Sequence, residues 1–357
     1  MSEDRAMPVV ERIAHSGASP EGTNSTYLLP DYGVVIDPGP PGEESWETLV
    51  SGLSNVAVSM AAIEAVVVTH WHADHAGLAP RLADHADAEL FLHDGDAPLV
   101  GDYAAERERR VARDARTLHT WGVPDPVVDQ ITESDHPSPM PDRAPVTSVT
   151  HGDQILGTEV VHTPGHTTGH IAIEAGDALF VGDAVLPTYT PNVGGSDTRA
   201  KAPLSTYLET LDRLRTVDGR SDERTDSMTV RSFPGHGSTV ALQSRIAEIR
   251  DHHAERLGNV VQSLPRMDAQ AERPATPGGR AEADASGRTP WQVARALFGE
   301  MRGIHAKMGA GEAAAHLDFG VESGLAIQVD SGPARYVRTD VEVTDERLAR
   351  AVSASRY

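Results

Sequence analysis

Histidine and aspartate side chains are concentrated in one short segment, Thr69-His70-Trp71-His72-Ala73-Asp74-His75. It offers three imidazoles and one carboxylate within six residues. These groups are ligands for Zn²⁺ and also for Fe or Mn. A single histidine is more often an ordinary core or surface residue, but four ligand-type side chains so close together indicate a metal site. The chain has no cysteine, so thiolate ligands, disulfides and cysteine nucleophiles are excluded.

Three further segments carry ligand-type side chains beside glycine. They are Thr163-Pro-Gly-His166-Thr-Thr-Gly-His170, Gly182-Asp183 and Pro234-Gly-His236-Gly237. All four segments directly follow predicted strands. Those strands are expected at residues 63–68, 158–162, 178–181 and 228–233. Tight glycine turns let loops at strand ends approach a common point, so the order and placement of these segments predict a single shared site.

The remaining pattern predicts a sandwich of two mixed sheets with helices outside, because strands and helices recur in two similar halves. Residues 22–39 predict a hairpin, and residues 89–93 predict a further strand. Helices are expected at 97–121, 204–214 and 239–264, with an irregular lid or loop over the Pro- and Asp-rich residues 122–143.

Composition changes sharply after residue 264. Residues 265–288 are polar, acidic and rich in Pro and Gly, which predicts a linker. Thr289 and Pro290 then form a helix-start signal. A second helix near 310–322 and a hairpin over 325–337 complete a small winged-helix-like unit. We therefore predict a catalytic domain over 1–264, a linker over 265–288 and a C-terminal domain over 289–357.

The four ordered motifs resemble those of the metallo-β-lactamase superfamily, over roughly residues 9–264. The resemblance implies an α+β fold, a four-layer αββα sandwich, with a site for two divalent metal ions, Zn in the first place and Fe or Mn as alternatives. It implies the following ligands: His70, His72 and His166 for the first metal; Asp74, His75 and His236 for the second; and Asp183 bridging both. His170 would position other groups or contact substrate, and Asp37 would orient the ligand histidines.

The resemblance also implies a mechanism in which a metal-bridging hydroxide attacks an electrophilic carbonyl or phosphorus. Asp74, Asp183 and His170 are the implied catalytic residues, with Asp74 or a metal-bound water moving the proton. Residues 182–192, 203–211 and the C-terminal segment resemble a hydroxyacylglutathione hydrolase-like branch. The basic cluster that binds glutathione in glyoxalase II is absent, so a small thioester or ester is expected. A single-strand endoribonuclease and a non-catalytic metal-binding protein are the alternatives.

Charge and composition bear on the partners of this 357-residue chain. Its formal net charge is -22, and only Lys201 and Lys307 among its 31 basic residues are lysine. This composition resembles that of halophilic proteins, and it argues against nucleic acid as a partner. No apolar run approaches the ~18 residues of a membrane span. The N-terminal residues lack the apolar core of a secretory signal. We expect a cytoplasmic protein that acts on a small molecule, with its C-terminal unit packed on the catalytic domain or on a second copy in a homodimer.

Overall fold

Residues 7–16, 21–219, 230–266 and 287–353 are described by a computed structural model of the chain. Two compact units are distinguished: unit 1 takes residues 1–110, 136–191 and 206–248, and unit 2 takes 111–135, 192–205 and 249–357. The domain boundaries predicted at 264 and 289 stay a prediction. Residues 267–286 of the predicted linker lie outside the described residues, as do residues 228 and 229 of the last predicted strand.

The first sheet of unit 1 is mixed, with its six strands in sequential order. They are β1 (Glu11–His15), β2 (Asn24–Leu29), β3 (Val34–Ile36), β4 (Ala65–Val67), β5 (Glu89–His93) and β6 (Thr147–Val149). Strands β1 to β3 pair antiparallel, which confirms the predicted hairpin, and β3 to β6 pair parallel. Parallel pairing places the carboxyl ends of β4 and β5 at the same edge.

The second sheet of unit 1 is also mixed, in the order β11-β10-β9-β8-β7. Its strands are β7 (Gln154–Ile155), β8 (Thr158–His162), β9 (Ile171–Ala175), β10 (Ala178–Gly182) and β11 (Arg231–Pro234). The β10–β11 pair is parallel and the other pairs are antiparallel. The end of β8, the start of β9 and the ends of β10 and β11 therefore meet at one edge, which is where three of the four motifs begin.

The two sheets pack face to face over an apolar core. Side chains of β2 alternate between its two faces, as a pleated strand requires: Tyr27 and Leu29 join the core between the sheets, while Leu28 packs in the cluster on the opposite face. The Phe180 ring of the second sheet lies 5.2 Å from the Tyr27 ring and 5.1 Å from the Phe233 ring. The predicted sandwich of two mixed sheets is confirmed.

Helices of unit 1 cover the outer face of its first sheet. They are α1 (Glu43–Asn55), α2 (Ala73–Ala76), α3 (Ala79–Ala86) and α4 (Ala97–Gly101). Leu49 and Leu53 of α1 and Leu82 of α3 pack with Leu28 and Val66 of the sheet. Three helices contain a division between the units: α5 (Tyr103–Thr120), α7 (Pro203–Gly219) and α8 (Leu242–Ser263).

Unit 2 contains the C-terminal residues. Its own elements are α6 (Asp125–Ser134), α9 (Pro290–Phe298), α10 (Ile304–Glu322), β12 (Ala326–Ser331), β13 (Ala334–Arg338) and α11 (Asp345–Ser353). Thr289 is the N-cap of α9 and forms a capping box with Gln292, so the predicted helix start is confirmed. Strands β12 and β13 form the expected hairpin. The assignment of this unit as winged-helix-like stays a prediction.

Two predicted elements are wrong. Residues 97–121 form two helices rather than one, because the chain leaves helical geometry at Asp102 and the Gly101 carbonyl accepts a hydrogen bond from the Ala144 amide. The Pro and Asp content of residues 122–143 predicts an irregular lid or loop, but these residues contain α6. Proline is tolerated in the first turn of a helix, and the buried Val128 and Ile131 of α6 pack against Leu118 of α5.

Candidate metal centre

The segment of three histidines and one aspartate lies at the carboxyl end of β4. His70 and His72 are in the connection after the strand, and the short helix α2 starts at Ala73 and carries Asp74 and His75. The turn of α2 directs these two side chains back toward the preceding histidines. The sequence therefore places all four ligand-type groups on one strand end, as predicted.

Three imidazoles from two separate loops form the first cluster. His70 Nε2 lies 2.9 Å from His72 Nδ1, and His166 Nε2 lies 3.1 Å from the same His72 atom. His70 is buried, and His166 is 7% exposed. Nitrogens on a tetrahedral Zn²⁺, at Zn–N distances of about 2.0–2.1 Å, would be roughly 3.3 Å apart. The observed spacing is close to that value.

A second cluster combines Asp74, His75 and His236. Asp74 Oδ2 lies 3.6 Å from His75 Nε2 and 3.4 Å from His236 Nε2. Both histidines are 1% exposed, whereas the Asp74 side chain is 40% exposed. The Asp74 carboxylate is therefore the solvent-facing member of this cluster.

Asp183, at the end of β10, contacts members of both clusters. Its Oδ1 lies 3.5 Å from His75 Nε2, and its Oδ2 lies 3.5 Å from His236 Nε2 and 3.9 Å from His166 Nε2. Its carboxylate thus stands between the imidazole cluster and the Asp–His–His cluster. This is the placement that a bridging ligand requires.

Glycine allows the last loop to approach this carboxylate. The Gly235 amide donates a hydrogen bond to the Gly182 carbonyl over 2.8 Å. A Cβ atom on Gly235 would collide with Asp183 Oδ1 and would lie 2.6 Å from His75 Cε1. Any side chain at position 235 would therefore occupy the space between the ligand groups.

Asp37 holds the β4 loop and orients one ligand, as the resemblance implies. Its Oδ1 accepts a hydrogen bond from the Thr69 amide over 2.7 Å, and its Oδ2 accepts one from the Thr69 hydroxyl over 2.7 Å. Its Oδ2 also lies 3.0 Å from His75 Nδ1. This contact places a proton on Nδ1 and leaves His75 Nε2 facing the cluster.

His170 is fully buried behind Asp183. Its Nε2 accepts a hydrogen bond from the Asp183 amide over 3.0 Å, and its Nδ1 lies 2.8 Å from the Thr163 hydroxyl. Burial lowers the pKa of His170 well below its usual range, and nearby His166 adds to this. The geometry favours the positioning alternative for His170 over contact with substrate.

Asn24 was not identified from the sequence. Its side-chain amide donates to Asp74 Oδ2 over 3.0 Å and to the Asp74 carbonyl over 3.1 Å. It is 3% exposed at the start of β2, beside the loop of His236. A polar amide side chain at the first position of a fully buried strand could have indicated a functional residue. Its partner Asp74, however, lies 50 residues away along the chain, so the contact itself could not be predicted.

The two clusters have opposite electrostatic surroundings. Burial lowers the pKa of His72 to about 3, with nearby His166 acting in the same direction, so its imidazole is neutral and able to bind a cation. Burial also lowers the pKa of His75, but the carboxylates of Asp183 and Asp74 outweigh it and hold that pKa well above its usual range. The same carboxylate effects raise the pKa of His236 to about 10 against the lowering effect of burial. The carboxylates of Asp74 and Asp183 therefore stabilise positive charge at the two histidines of the second cluster.

The geometry of these residues, taken without the family resemblance, also fits a metal site. Three groups of His and Asp each present ligand atoms within 4.8 Å of one another: His70-His72-His166, His70-His75-Asp183 and Asp74-His75-His236. His75 Nε2 and Asp183 Oδ1 are buried without a hydrogen-bond partner in the described structure. Buried polar atoms without partners are costly, and a shared cation would satisfy both. The ligand roles of the seven residues stay a prediction.

Comparison with known proteins identifies the family. Residues 18–220 match the family model described as the metallo-beta-lactamase superfamily. The chain belongs to this superfamily, and it is a metallo-hydrolase with a cluster of His and Asp that can hold metal.

Several curated proteins are similar over most of the chain. A probable metallo-hydrolase of Bacillus subtilis, YqjP, is 27% identical over 80% of this chain and 83% of its own length. A beta-lactamase-like protein 2 homolog of Drosophila melanogaster is 29% identical over 66% and 68%. An atrochrysone carboxyl ACP thioesterase of Aspergillus fumigatus is 26% identical over 79% and 70%.

Two solved structures share the fold along nearly the whole chain. A metallo-beta-lactamase family protein of Thermus thermophilus is 24% identical, with a TM-score of 0.68 over 92% of this chain and 98% of its own. A beta-lactamase domain protein of Burkholderia ambifaria is 21% identical, with a TM-score of 0.64 over 94% and 96%. Among the described residues, no helix is long and apolar enough to cross a membrane.

Proposed function

We propose that this chain is a hydrolase that uses two metal ions and cleaves a small thioester or ester. The observation that carries the proposal is the position of the Asp183 carboxylate between the two clusters. Its Oδ2 lies 3.9 Å from His166 Nε2 of the first cluster and 3.5 Å from His236 Nε2 of the second, and its Oδ1 lies 3.5 Å from His75 Nε2 of the second. His70, His72 and His166 would hold one ion. Asp74, His75 and His236 would hold the other, and the Asp183 carboxylate would reach both.

The bound ions supply Lewis-acid chemistry, since they polarise a carbonyl and lower the pKa of water toward neutrality. The protein's own groups do the remaining work. Asp74 is the solvent-facing carboxylate of the site and can accept a proton from an attacking water. Asn24 donates to Asp74 Oδ2, which leaves Oδ1 of that carboxylate for this exchange. Asp37 and His170 fix the orientation of His75 and Asp183 and do not touch the reacting atoms.

An acyl substrate suits the surface beside the first cluster. The Trp71 ring lies 4.6 Å from the His72 ring and is only partly buried, so some apolar ring surface remains exposed beside the first cluster. The guanidinium of Arg110 lies 5.3 Å from the centre of the Trp71 ring. The similar proteins include one named as an acyl carrier protein thioesterase, which supports a thioester. We propose the Trp71 ring as the contact for the acyl portion.

An RNA substrate is less well supported. A polyanion needs several adjacent cationic side chains, and its binding weakens steeply with salt. Arg109 on α5 is already paired with Glu106. The chain also carries a net charge of -22. Endoribonuclease activity is therefore the alternative, and the assay described next includes single-stranded RNA to test it.

The test is a parallel assay of acyl thioesters, lactones, phosphodiesters and single-stranded RNA at high salt. Asp183→Ala is the inactive comparison. Asp177→Asn is the matched control. The Asp177 side chain is also buried and pairs with Arg231. Asp177 directly precedes β10, so it lies at the opposite end of that strand from Asp183.

We expect thioester or ester cleavage that Asp183→Ala abolishes and Asp177→Asn retains. If RNA is cut in molar salt, that activity is lost in Asp183→Ala, and every thioester and ester is untouched, the endoribonuclease alternative replaces this proposal. If no substrate is cleaved although metal is bound, the non-catalytic alternative replaces it.

A further inference from the structure

A further buried carboxylate, Asp96, lies close to the loops of the candidate metal centre and is not one of the seven candidate ligands. It follows β5, at the same sheet edge as the loop after β4, and it precedes α4. Its side chain is completely buried. A buried carboxylate must be well hydrogen-bonded to be tolerated, so its partners are informative.

Asp96 joins the two loops that supply the first cluster. Its Oδ2 accepts a hydrogen bond from the Trp71 amide over 3.3 Å and one from the Thr167 hydroxyl over 2.7 Å. Its Oδ1 accepts a third from the Gly169 amide over 3.0 Å. A single carboxylate therefore connects the loop after β4 to the loop between β8 and β9.

These contacts fall beside the three imidazoles. Trp71 lies between His70 and His72, and Thr167 directly follows His166. The first cluster takes two nitrogens from one loop and one from the other, so the spacing between the loops sets whether all three can bind one ion. Asp96 spans the two loops through the Trp71 amide, the Thr167 hydroxyl and the Gly169 amide, so its position bears directly on that spacing.

The loop between β8 and β9 packs closely against Asp96 at Gly169. A Cβ atom on Gly169 would lie 2.5 Å from the Asp96 amide nitrogen and 2.6 Å from its Cγ. Any side chain at position 169 would push this loop away from Asp96. Glycine is therefore required here by close approach rather than by turn geometry.

We propose that Asp96 is the positioning residue for the imidazole cluster, as Asp37 is for His75. This inference rests on the proposed metal centre. It predicts a selective effect: loss of Asp96 weakens metal binding by His70, His72 and His166 and leaves the Asp74–His75–His236 cluster unchanged.

Asp96→Asn is the sharpest substitution because it keeps the shape of the side chain. An amide offers one acceptor oxygen and one donor nitrogen. If the Asn oxygen takes the Oδ2 position, its NH₂ faces the Gly169 amide. If the oxygen takes the Oδ1 position, the NH₂ faces the Trp71 amide. In either orientation two hydrogen-bond donors face each other. At least one backbone hydrogen bond between Asp96 and the loops is therefore lost.

The test isolates each cluster in turn. His236→Ala removes a ligand of the second cluster and leaves the imidazole cluster to be titrated with Zn²⁺ against a chromophoric chelator. His72→Ala does the converse. Outer partners of metal ligands typically contribute about 10–100-fold to metal affinity. We expect Asp96→Asn to weaken Zn²⁺ binding by about 10–100-fold in the His236→Ala background and to leave it within about twofold in the His72→Ala background.

Controls separate positioning from general damage. Asp177→Asn, in both backgrounds, is expected to leave Zn²⁺ affinity unchanged. Gly169→Ala acts on the same contact from the other side and is expected to reproduce the selective loss, so the inference stays testable if Asp96→Asn folds poorly. Circular dichroism of each variant without metal checks folding.

Equal Zn²⁺ affinity with and without Asp96→Asn in the His236→Ala background would overturn the inference, as would an equal loss in both backgrounds. Either result leaves the proposed function standing if the unmodified protein binds Zn²⁺ and is active. An unmodified protein that takes up no Zn²⁺ would instead overturn the proposed metal centre itself, and the inference with it.

Discussion

The histidine pair His253 and His316 in unit 2 is expected to make the stability of this protein fall steeply in mild acid. Both imidazoles are buried, and His253 Nδ1 lies 3.2 Å from His316 Nε2. His316 Nδ1 lies 2.8 Å from the Glu312 carbonyl, which can only accept, so the His316 proton is on Nδ1. Its Nε2 then accepts from His253 Nδ1–H, and both rings are neutral.

The pKa values define the direction of the effect. Burial lowers the pKa of His316 to about 3. Burial, together with the adjacent imidazole of His316 and neighbouring Arg side chains, lowers the pKa of His253 well below its usual range. In the unfolded chain both titrate near ~6.5. Below that pH the unfolded state binds more protons, so stability is full above pH ~6.5 and declines as the pH falls.

The size of the stability loss depends on how far the solution pH lies below the pKa of histidine in the unfolded chain. At pH 5 the solution is about 1.5 units below it, and each unit corresponds to about 1.36 kcal/mol per proton. His316, whose pKa in the folded chain is about 3, therefore removes about 2 kcal/mol from the free energy of unfolding between pH 8 and pH 5, and His253 acts in the same direction. His316→Gln keeps an acceptor for His253 and removes one of the two protonation sites.

Urea unfolding at fixed salt, with a chelator present throughout, measures this difference. The loss of unfolding free energy between pH 8 and pH 5 should be about 2 kcal/mol smaller in His316→Gln than in the unmodified protein. Other titrating groups are common to both proteins and cancel in the comparison. Equal losses in the two proteins would refute the assignment of buried neutral imidazoles.

Three further predictions concern the metal-binding loops and the core. His72→Ala and Asp183→Ala should each lower turnover by at least about 100-fold while circular dichroism stays unchanged, because both residues lie on loops at strand ends; near-normal turnover would remove that residue from the site. Gly235→Ala should lower metal content per chain in elemental analysis, since its Cβ would contact Asp183 and His75; unchanged content would show that the space is not needed. Phe180→Ala should lower the free energy of unfolding by about 3–5 kcal/mol in urea titrations, because the ring is 1% exposed between the sheets; a cost below about 1 kcal/mol would contradict that packing.

Local sequence was sufficient for several elements of the fold. The strands at Glu89–His93 and Thr158–His162 have the predicted bounds, because short apolar runs between polar turns specify buried strands directly. The start of α9 at Thr289 and Pro290 was equally local, since a capping box is encoded within four residues.

Other features depend on contacts between distant residues. Helix α6 lies in a segment whose Pro and Asp content favours a loop, and its apolar side is explained only by packing against Leu118. Asn24 meets Asp74 across 50 residues, and Asp96 meets Gly169 across 73. Sequence motifs identified the candidate ligands, but not the buried groups that hold their loops, because hydrogen bonds to the backbone leave no spacing signal.

Each chain is expected to hold two metal ions at the ends of its strands. Anomalous X-ray diffraction from crystals of Zn²⁺-reconstituted protein counts these ions and locates each one. We predict two peaks per chain, one among His70, His72 and His166 and one among Asp74, His75 and His236, with Asp183 between them. A single peak, or a fully occupied ion away from both clusters, would contradict the account.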